Sequence, residues 1–278
     1  MDDTGIRQAT DTTCVADASD GHAALVVDRP GPWRGDVVHR IHGDGSLAPR
    51  SSSRDAVASL GVGQAPAAGR LSQRPDAQLL ERAGHRRIQS AVMFADMRGF
   101  MRISEQMEPD EVFPLLNEYF ELLTRITLAH GGRVFHVAGD ELMAGFGVPD
   151  PRDDAPCRAL EAAREMLARF GAMAEEWRLR LGVRTGLGIG INAGDVIVGH
   201  VGSEGFRHYT MVGDTVNVAS RLSQRARAGE ALFSRSVMDA VSRHCAGMDC
   251  VELPALQLRG REAPVEIFCL PAASRVEV

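Results

Sequence analysis

Apolar positions along the chain fall into short continuous runs and longer helical stripes. Ala91 to Ala95 form an apolar run that ends in Asp96 and a glycine-containing turn, Met97-Arg98-Gly99-Phe100. A run of this length suits a strand buried on both faces, and such a strand delivers its last residue to the rim of a sheet. Val134 to Ala138 predicts a second strand, Gly139-Asp140 a tight turn, and Leu142 to Phe146 a third strand. Asp96 and Asp140 therefore stand on two turns that can face each other. Between them, Pro109-Asp110-Glu111 places proline and acids where a helix start favours them. Val112, Leu115, Leu116, Tyr119, Leu122, Leu123 and Ile126 then repeat at helical spacing until Gly131-Gly132 stops the helix. Pro114 lies near enough to its start that about one ladder bond is lost, and a bend is expected there. A second amphipathic helix is expected from Asp154 to Trp177.

The glycine-rich stretch that follows superficially offers a dinucleotide fingerprint in Gly186-Leu187-Gly188-Ile189-Gly190. That motif has to open a helix, and no helical pattern follows. Leu187, Ile189 and Ile191 alternate at the strand period, Ala193-Gly194-Asp195 carries turn chemistry, and Val196 and Val198 alternate again, which predicts a long hairpin. Its nearly bare glycine face admits close approach of another backbone, a partner subunit's being one candidate. Next comes Tyr209-Thr210-Met211-Val212-Gly213-Asp214-Thr215, where Asp214 suits the N-cap of a helix with Val216, Ala219 and Leu222 as its apolar stripe. Asn217 and Arg221, four apart, share another face of that helix and together suit an oxygen-rich ligand. The chain from Ala231 through Leu253 to Leu270 predicts a strand, a helix and a closing hairpin with Arg259-Gly260-Arg261 at its turn.

Residues 1–75 change the picture, because Gly, Ala, Ser, Asp and Arg dominate and little there can bury a core. We expect a low-complexity, weakly ordered segment with one strand-like piece, Ala23 to Val27, and a short helix from Asp76 to Arg87 leading into a folded domain over 76–278. With 278 residues, 44% hydrophobic and 24% charged, the composition is that of one or two globular domains. A net charge of -6 without a basic block argues against general nucleic-acid or anionic-membrane binding. The five cysteines are scattered with no CxxC pair, which predicts reduced thiols rather than a disulfide framework or a zinc site. No apolar run reaches the roughly eighteen residues of a membrane span, and Met1-Asp2-Asp3 does not start a signal peptide, so a cytoplasmic protein is expected.

In this order, FADMRGF at Phe94 to Phe100, AGDELMAGFG at Ala138 to Gly147 and YTMVGDTVNVASRL at Tyr209 to Leu222 resemble the class III nucleotidyl cyclase catalytic domain over about Arg87 to Pro271. The resemblance implies an α/β (α+β) fold, a ferredoxin-like sandwich with an extended mixed sheet, working as a homodimer with active sites at the subunit interface. It implies that Asp96 and Asp140, with the Met97 carbonyl, hold two Mg²⁺ or Mn²⁺ ions. It further implies that Asn217 orients the ribose and Arg221 stabilises charge on the α-phosphate, both from the other subunit. Arg259 stands where the family more often has a lysine on the terminal phosphates, and an arginine fork differs there from a point-charge ammonium. Backbone amides around Gly99 and Phe100, at an expected helix start, can cradle phosphate.

The family's base-selecting positions align to His136 and Thr210. Threonine belongs to an adenylyl pattern, whereas histidine replaces the usual lysine. The expected activity is therefore adenylate cyclase, converting ATP to 3′,5′-cyclic AMP and pyrophosphate, with guanylate cyclase or a degenerate regulatory nucleotide-binding module as alternatives.

Overall fold

The computed structural model describes residues 37–41, 47–49, 85–203, 205–245, 248–258 and 261–271. The first elements are β1 (Val37–Ile41), β2 (Leu47–Pro49), β3 (Arg86–Arg98), α1 (Phe100–Gln106), α2 (Pro109–Ala129), β4 (Gly132–Ala138), β5 (Glu141–Phe146) and α3 (Ala155–Leu181). They are followed by β6 (Gly186–Ser203), β7 (Phe206–Val212), α4 (Asp214–Arg225), β8 (Glu230–Ser234), α5 (Arg235–His244), β9 (Asp249–Leu256) and β10 (Val265–Pro271).

β3 is apolar without alternation because both of its faces are covered. Ala91, Met93, Ala95 and Met97 point to a core shared with Tyr119 of α2, Trp177 of α3 and Val237 of α5. Ile88, Val92 and Phe94 point the other way, towards Phe135, Met211 and Ala219 of α4. Full burial of each large side chain contributes roughly 1.5–3 kcal/mol, so this one strand carries much of the drive for layering. The sheet runs β2-β1-β9-β10-β8-β6-β3-β5-β4, with β7 paired to β6. Within it, β6-β3-β5-β4 with α2 and α3 as crossovers is the ferredoxin-like order, and the parallel β6–β8 pair makes the extended sheet mixed. The expected sandwich is therefore what the chain forms.

Several local expectations are corrected. Ala193-Gly194-Asp195 does not turn: β6 is one continuous strand that pairs with β3 from Gly186 to Val198, and the chain reverses between Ser203 and Phe206. The bare face of β6 receives a helix of the same chain, since a Cβ at Gly190 would collide with the Ala219 carbonyl and the Ser223 amide of α4. Asp214 is the first residue of α4 rather than its N-cap, which is Gly213, and its carboxylate accepts a hydrogen bond from Arg261 at 2.6 Å. Arg86 and Arg87 begin β3, not a helix, and His85 before them is not helical; the rest of that expected helix lies outside the described residues, as does Ala23 to Val27. In the segment expected to be weakly ordered, β1 pairs with β9 and β2 with β1 at the sheet edge.

The expectation of uniformly reduced thiols also fails. Cys157, in the first turn of α3, and Cys245, at the end of α5, form a disulfide with Cα atoms 6.2 Å apart. Packing of α3 on α5 brings together residues separated by 88 positions, a pairing that no spacing rule exposes. Cys250 and Cys269 are buried outside it. No described helix is long and apolar enough to cross a membrane.

Candidate active site

Asp96 comes near the end of β3, directly across from Glu141 on β5 and Gly188 on β6. Asp140 occupies the turn between β4 and β5, where Gly139 takes φ 60°, a left-handed conformation that favours glycine. Tyr119, fully buried on α2, supports that turn by donating its hydroxyl to the Asp140 main-chain oxygen at 3.0 Å. Burial, and then the Asp96 and Asp140 charges, hold the Tyr119 hydroxyl well above its usual range.

The Asp96 charge acts on the Asp140 carboxyl. Burial first and the Asp96 charge second push the Asp140 carboxyl up to about 6. The same causes raise Glu141. Facing carboxylates with this mutual cost form a site that gains from a cation. Asp96, Asp140 and the Met97 carbonyl are all hard oxygens, the donor set that Mg²⁺ or Mn²⁺ takes, so the residues fit the expected ions. Among the described residues, no group of three or more His, Cys, Asp or Glu is arranged for a metal, and phosphate or water oxygens would have to complete the shell.

One cation already leans on the pair. Arg98 Nη1 donates to Asp96 Oδ2, Nη2 donates to the Ser223 carbonyl, and Nε donates to the Ala226 carbonyl at 2.9 Å. The sequence alone suggested no role for the Arg98 side chain. The signal was present, because residues i and i+2 of a strand share a face and Arg98 stands two after Asp96. Gly99 is the N-cap of α1 and Phe100 its first residue, so their amides do lie at a helix start.

On α4, Asn217 is exposed and Arg221 partly so, on the side away from buried Val218 and Leu222. Neither has a hydrogen bond or ion pair among the described residues, and neither is joined to Asp96 or Asp140 within the chain.

The remaining residues meet where β7 folds back over the sheet. Met211 lies against Gly145, where a Cβ would come within 2.8 Å of its side chain, and the Tyr209 ring stacks on Phe135 at 5.7 Å. Arg133 lies 5.1 Å from the Tyr209 ring centre. β4 and β7, which do not pair in the sheet, thus touch through these side chains, with His136 of β4 exposed and Thr210 of β7 partly exposed. His208, on the same face of β7 as Thr210, sets its ring edge-on to His136 at 5.5 Å. Arg259 lies outside the described residues.

Residues 85–271 match the model of the adenylate and guanylate cyclase catalytic domain. Adenylate cyclase 1 of Rhizobium meliloti (strain 1021) is 38% identical over 138 residues, covering 47% of this chain and 20% of that protein. The adenylate cyclase of Anabaena cylindrica is 35% identical over 132 residues, covering 47% of this chain and 26% of that protein. The matched stretch is thus about a fifth to a quarter of these relatives' own lengths. Among solved structures, the adenylyl cyclase CyaB from P. aeruginosa superposes with a TM-score of 0.65 at 28% identity, covering 69% of this chain and 98% of that one. The guanylyl cyclase Cya2 gives 0.62 at 28% identity, covering 70% and 98%. With the family model spanning β3 to β10 and both cyclase structures covered almost end to end, the chain belongs to the adenylate and guanylate cyclase catalytic domain family.

Proposed function

We propose that this chain is an adenylate cyclase that converts ATP to 3′,5′-cyclic AMP and pyrophosphate at sites shared between the subunits of a homodimer. The observation that carries this is the strained pair Asp96 and Asp140 inside the matched family domain, since neighbouring carboxylates repel until a cation joins them. Asp96 and Asp140, with the Met97 carbonyl, hold two Mg²⁺ or Mn²⁺ ions. When bound, these supply charge for the triphosphate and acidify the ribose 3′-hydroxyl.

The chain's other residues bind and orient. Amides at Gly99 and Phe100 meet phosphate oxygens at the start of α1, and Arg259 neutralises the terminal phosphates. Asn217 of one subunit orients the ribose, and Arg221 of the same subunit stabilises the charge that grows on the α-phosphate. Both residues are unengaged by their own chain's described residues, which fits a role in a partner's site.

His136 and Thr210 read the purine. Adenine offers an acceptor at N1 and donors at N6, so an imidazole N–H from His136 and the Thr210 hydroxyl as acceptor suit it. Guanine reverses both positions, and GTP is the second reading because histidine can present either kind of nitrogen. The similarity to Cya2 supports that reading about as well as CyaB supports the first.

Product analysis with ATP or GTP and either Mg²⁺ or Mn²⁺ tests the reaction and the base together, with Asp96→Ala and Asp140→Ala as controls. Cyclic AMP and pyrophosphate are expected from the wild type and no turnover from either variant. Near-normal turnover in a folded Asp96→Ala protein would remove the metal assignment.

A further inference from the structure

The guanidinium of Arg98 sits between two parts of the chain that the proposed reaction uses separately. One of its nitrogens meets the Asp96 carboxylate, and the other two meet the carbonyls of Ser223 and Ala226, in and just beyond the last turn of α4. The Ser223 carbonyl accepts the Ala226 amide at 3.0 Å and keeps a second lone pair for the guanidinium, and the last carbonyls of a helix carry partial negative charge, so a cation suits them. The seat is built for this side chain: a Cβ at Gly188 of β6 would collide with the guanidinium, which therefore lies against bare backbone. The Arg98 side chain is 22% exposed and Asp96 26%, so water screens the contact only in part. An ammonium has its three donors on one atom, whereas the planar guanidinium sets a separate nitrogen against each of the three acceptors.

We propose that Arg98 is a positioning residue that ties the end of α4 to Asp96, so that loading the carboxylate pair changes the freedom of the helix that presents Asn217 and Arg221. This rests on the cyclase reading above. A divalent cation drawn to Asp96 takes over the negative charge that holds Arg98 and repels the guanidinium, leaving the end of α4 with a weaker anchor. Because the carboxylates and the helix of one chain serve different sites of a shared-site dimer, the strut carries the state of one site to the other.

Hydrogen exchange of amides 222–229, measured on the full chain with and without Mn²⁺, tests the coupling without needing turnover. Paramagnetic resonance of free Mn²⁺ first establishes binding in the wild type and in Arg98→Gln, and its loss in Asp96→Ala. Exchange at 222–229 is expected to rise severalfold on Mn²⁺ addition in the wild type. In Arg98→Gln it should already be fast and should not respond. Turnover in that variant should drop about ten-fold in kcat, with KM for the nucleotide within about two-fold, because α4 acts in the transition state. A purely structural arginine would shift the melting temperature without that split. If Arg98→Gln does not fold, Arg98→Lys carries the same expectations, since it keeps the charge without the fork. An equal Mn²⁺ response in wild type and variant overturns the strut alone. Failure of the wild type to bind Mn²⁺ overturns the carboxylate assignment and the strut with it.

Discussion

Replacing Asp140 by asparagine should make the metal-free protein more stable while abolishing turnover. The folded Asp140 carboxyl keeps its proton to about pH 6, against 3.8 for the unfolded chain. Between those values the native state binds the extra proton, so its stability falls as pH rises, and above about pH 7 the loss is complete. A shift of this size corresponds to about 3 kcal/mol as a ceiling. Solvent screening at this partly exposed turn, and the sharing of the proton with Asp96, reduce it to about 1 to 2 kcal/mol. Asparagine is neutral at every pH and can still donate to Asp96, while the Tyr119 bond to the main-chain oxygen is untouched. Urea unfolding in EDTA at pH 4.5 and pH 8 measures the difference. Asp140→Asn should lead by about 1 to 2 kcal/mol at the higher pH, or roughly 2–8 °C in a domain of this size, and by only about a third of that at the lower, which still lies above the unfolded value of 3.8. A gap that does not change with pH, or a variant less stable than wild type at pH 8, would refute the idea that charge repulsion between the carboxylates sets this cost.

Three further outcomes are expected. Mixing inactive Asp96→Ala with inactive Arg221→Ala should restore about a quarter of wild-type activity once subunits exchange, since half the dimers then hold one intact site of two; proven exchange with no recovery rules out shared sites. Gly190→Ala pushes a methyl into the backbone of α4 and should cost about 3 kcal/mol by denaturant unfolding, whereas an unchanged midpoint would mean that α4 can move away freely. ATP should be preferred over GTP by roughly ten- to a hundred-fold in kcat/KM, and His136→Lys should sharpen that preference, whereas a wild-type preference for GTP replaces the adenylyl reading with the guanylyl one.

What the sequence revealed follows from how local its causes are. Asp96 and Asp140 could be placed because each follows an apolar run, although β3 continues through Asp96 to Arg98 and only Asp140 lies in a turn, and α2 could be read through Pro114 because its buried stripe outlasts one lost bond. β6 does not reverse where Ala193-Gly194-Asp195 carries turn chemistry, and the neighbouring Asn192 shows why. In the fold, Asn192 is buried and held, donating to the Thr215 carbonyl at 3.2 Å and accepting from Ser234 Oγ at 2.6 Å. Those partners come from α4 and β8, so the use of Asn192 depends on contacts far along the chain. The joining of Cys157 to Cys245 and the reach of Arg98 to Ala226 are hidden for the same reason. Neither shows until helices are packed, although the two-residue spacing of Asp96 and Arg98 was there to be used.

The pairing of β3 with β6 also bears on how the polypeptide is made. β3 leaves the ribosome with Val92, Met93 and Phe94 destined for burial, and β5 follows roughly fifty residues later to cover one edge. Its other edge must wait for β6, roughly a hundred residues downstream. At about 5–20 residues per second, that open, apolar edge is exposed for roughly 5–20 seconds in every nascent chain. The strand that places Asp96 is thus also a segment open to wrong partners during synthesis, and crowded or slowed translation should be felt there.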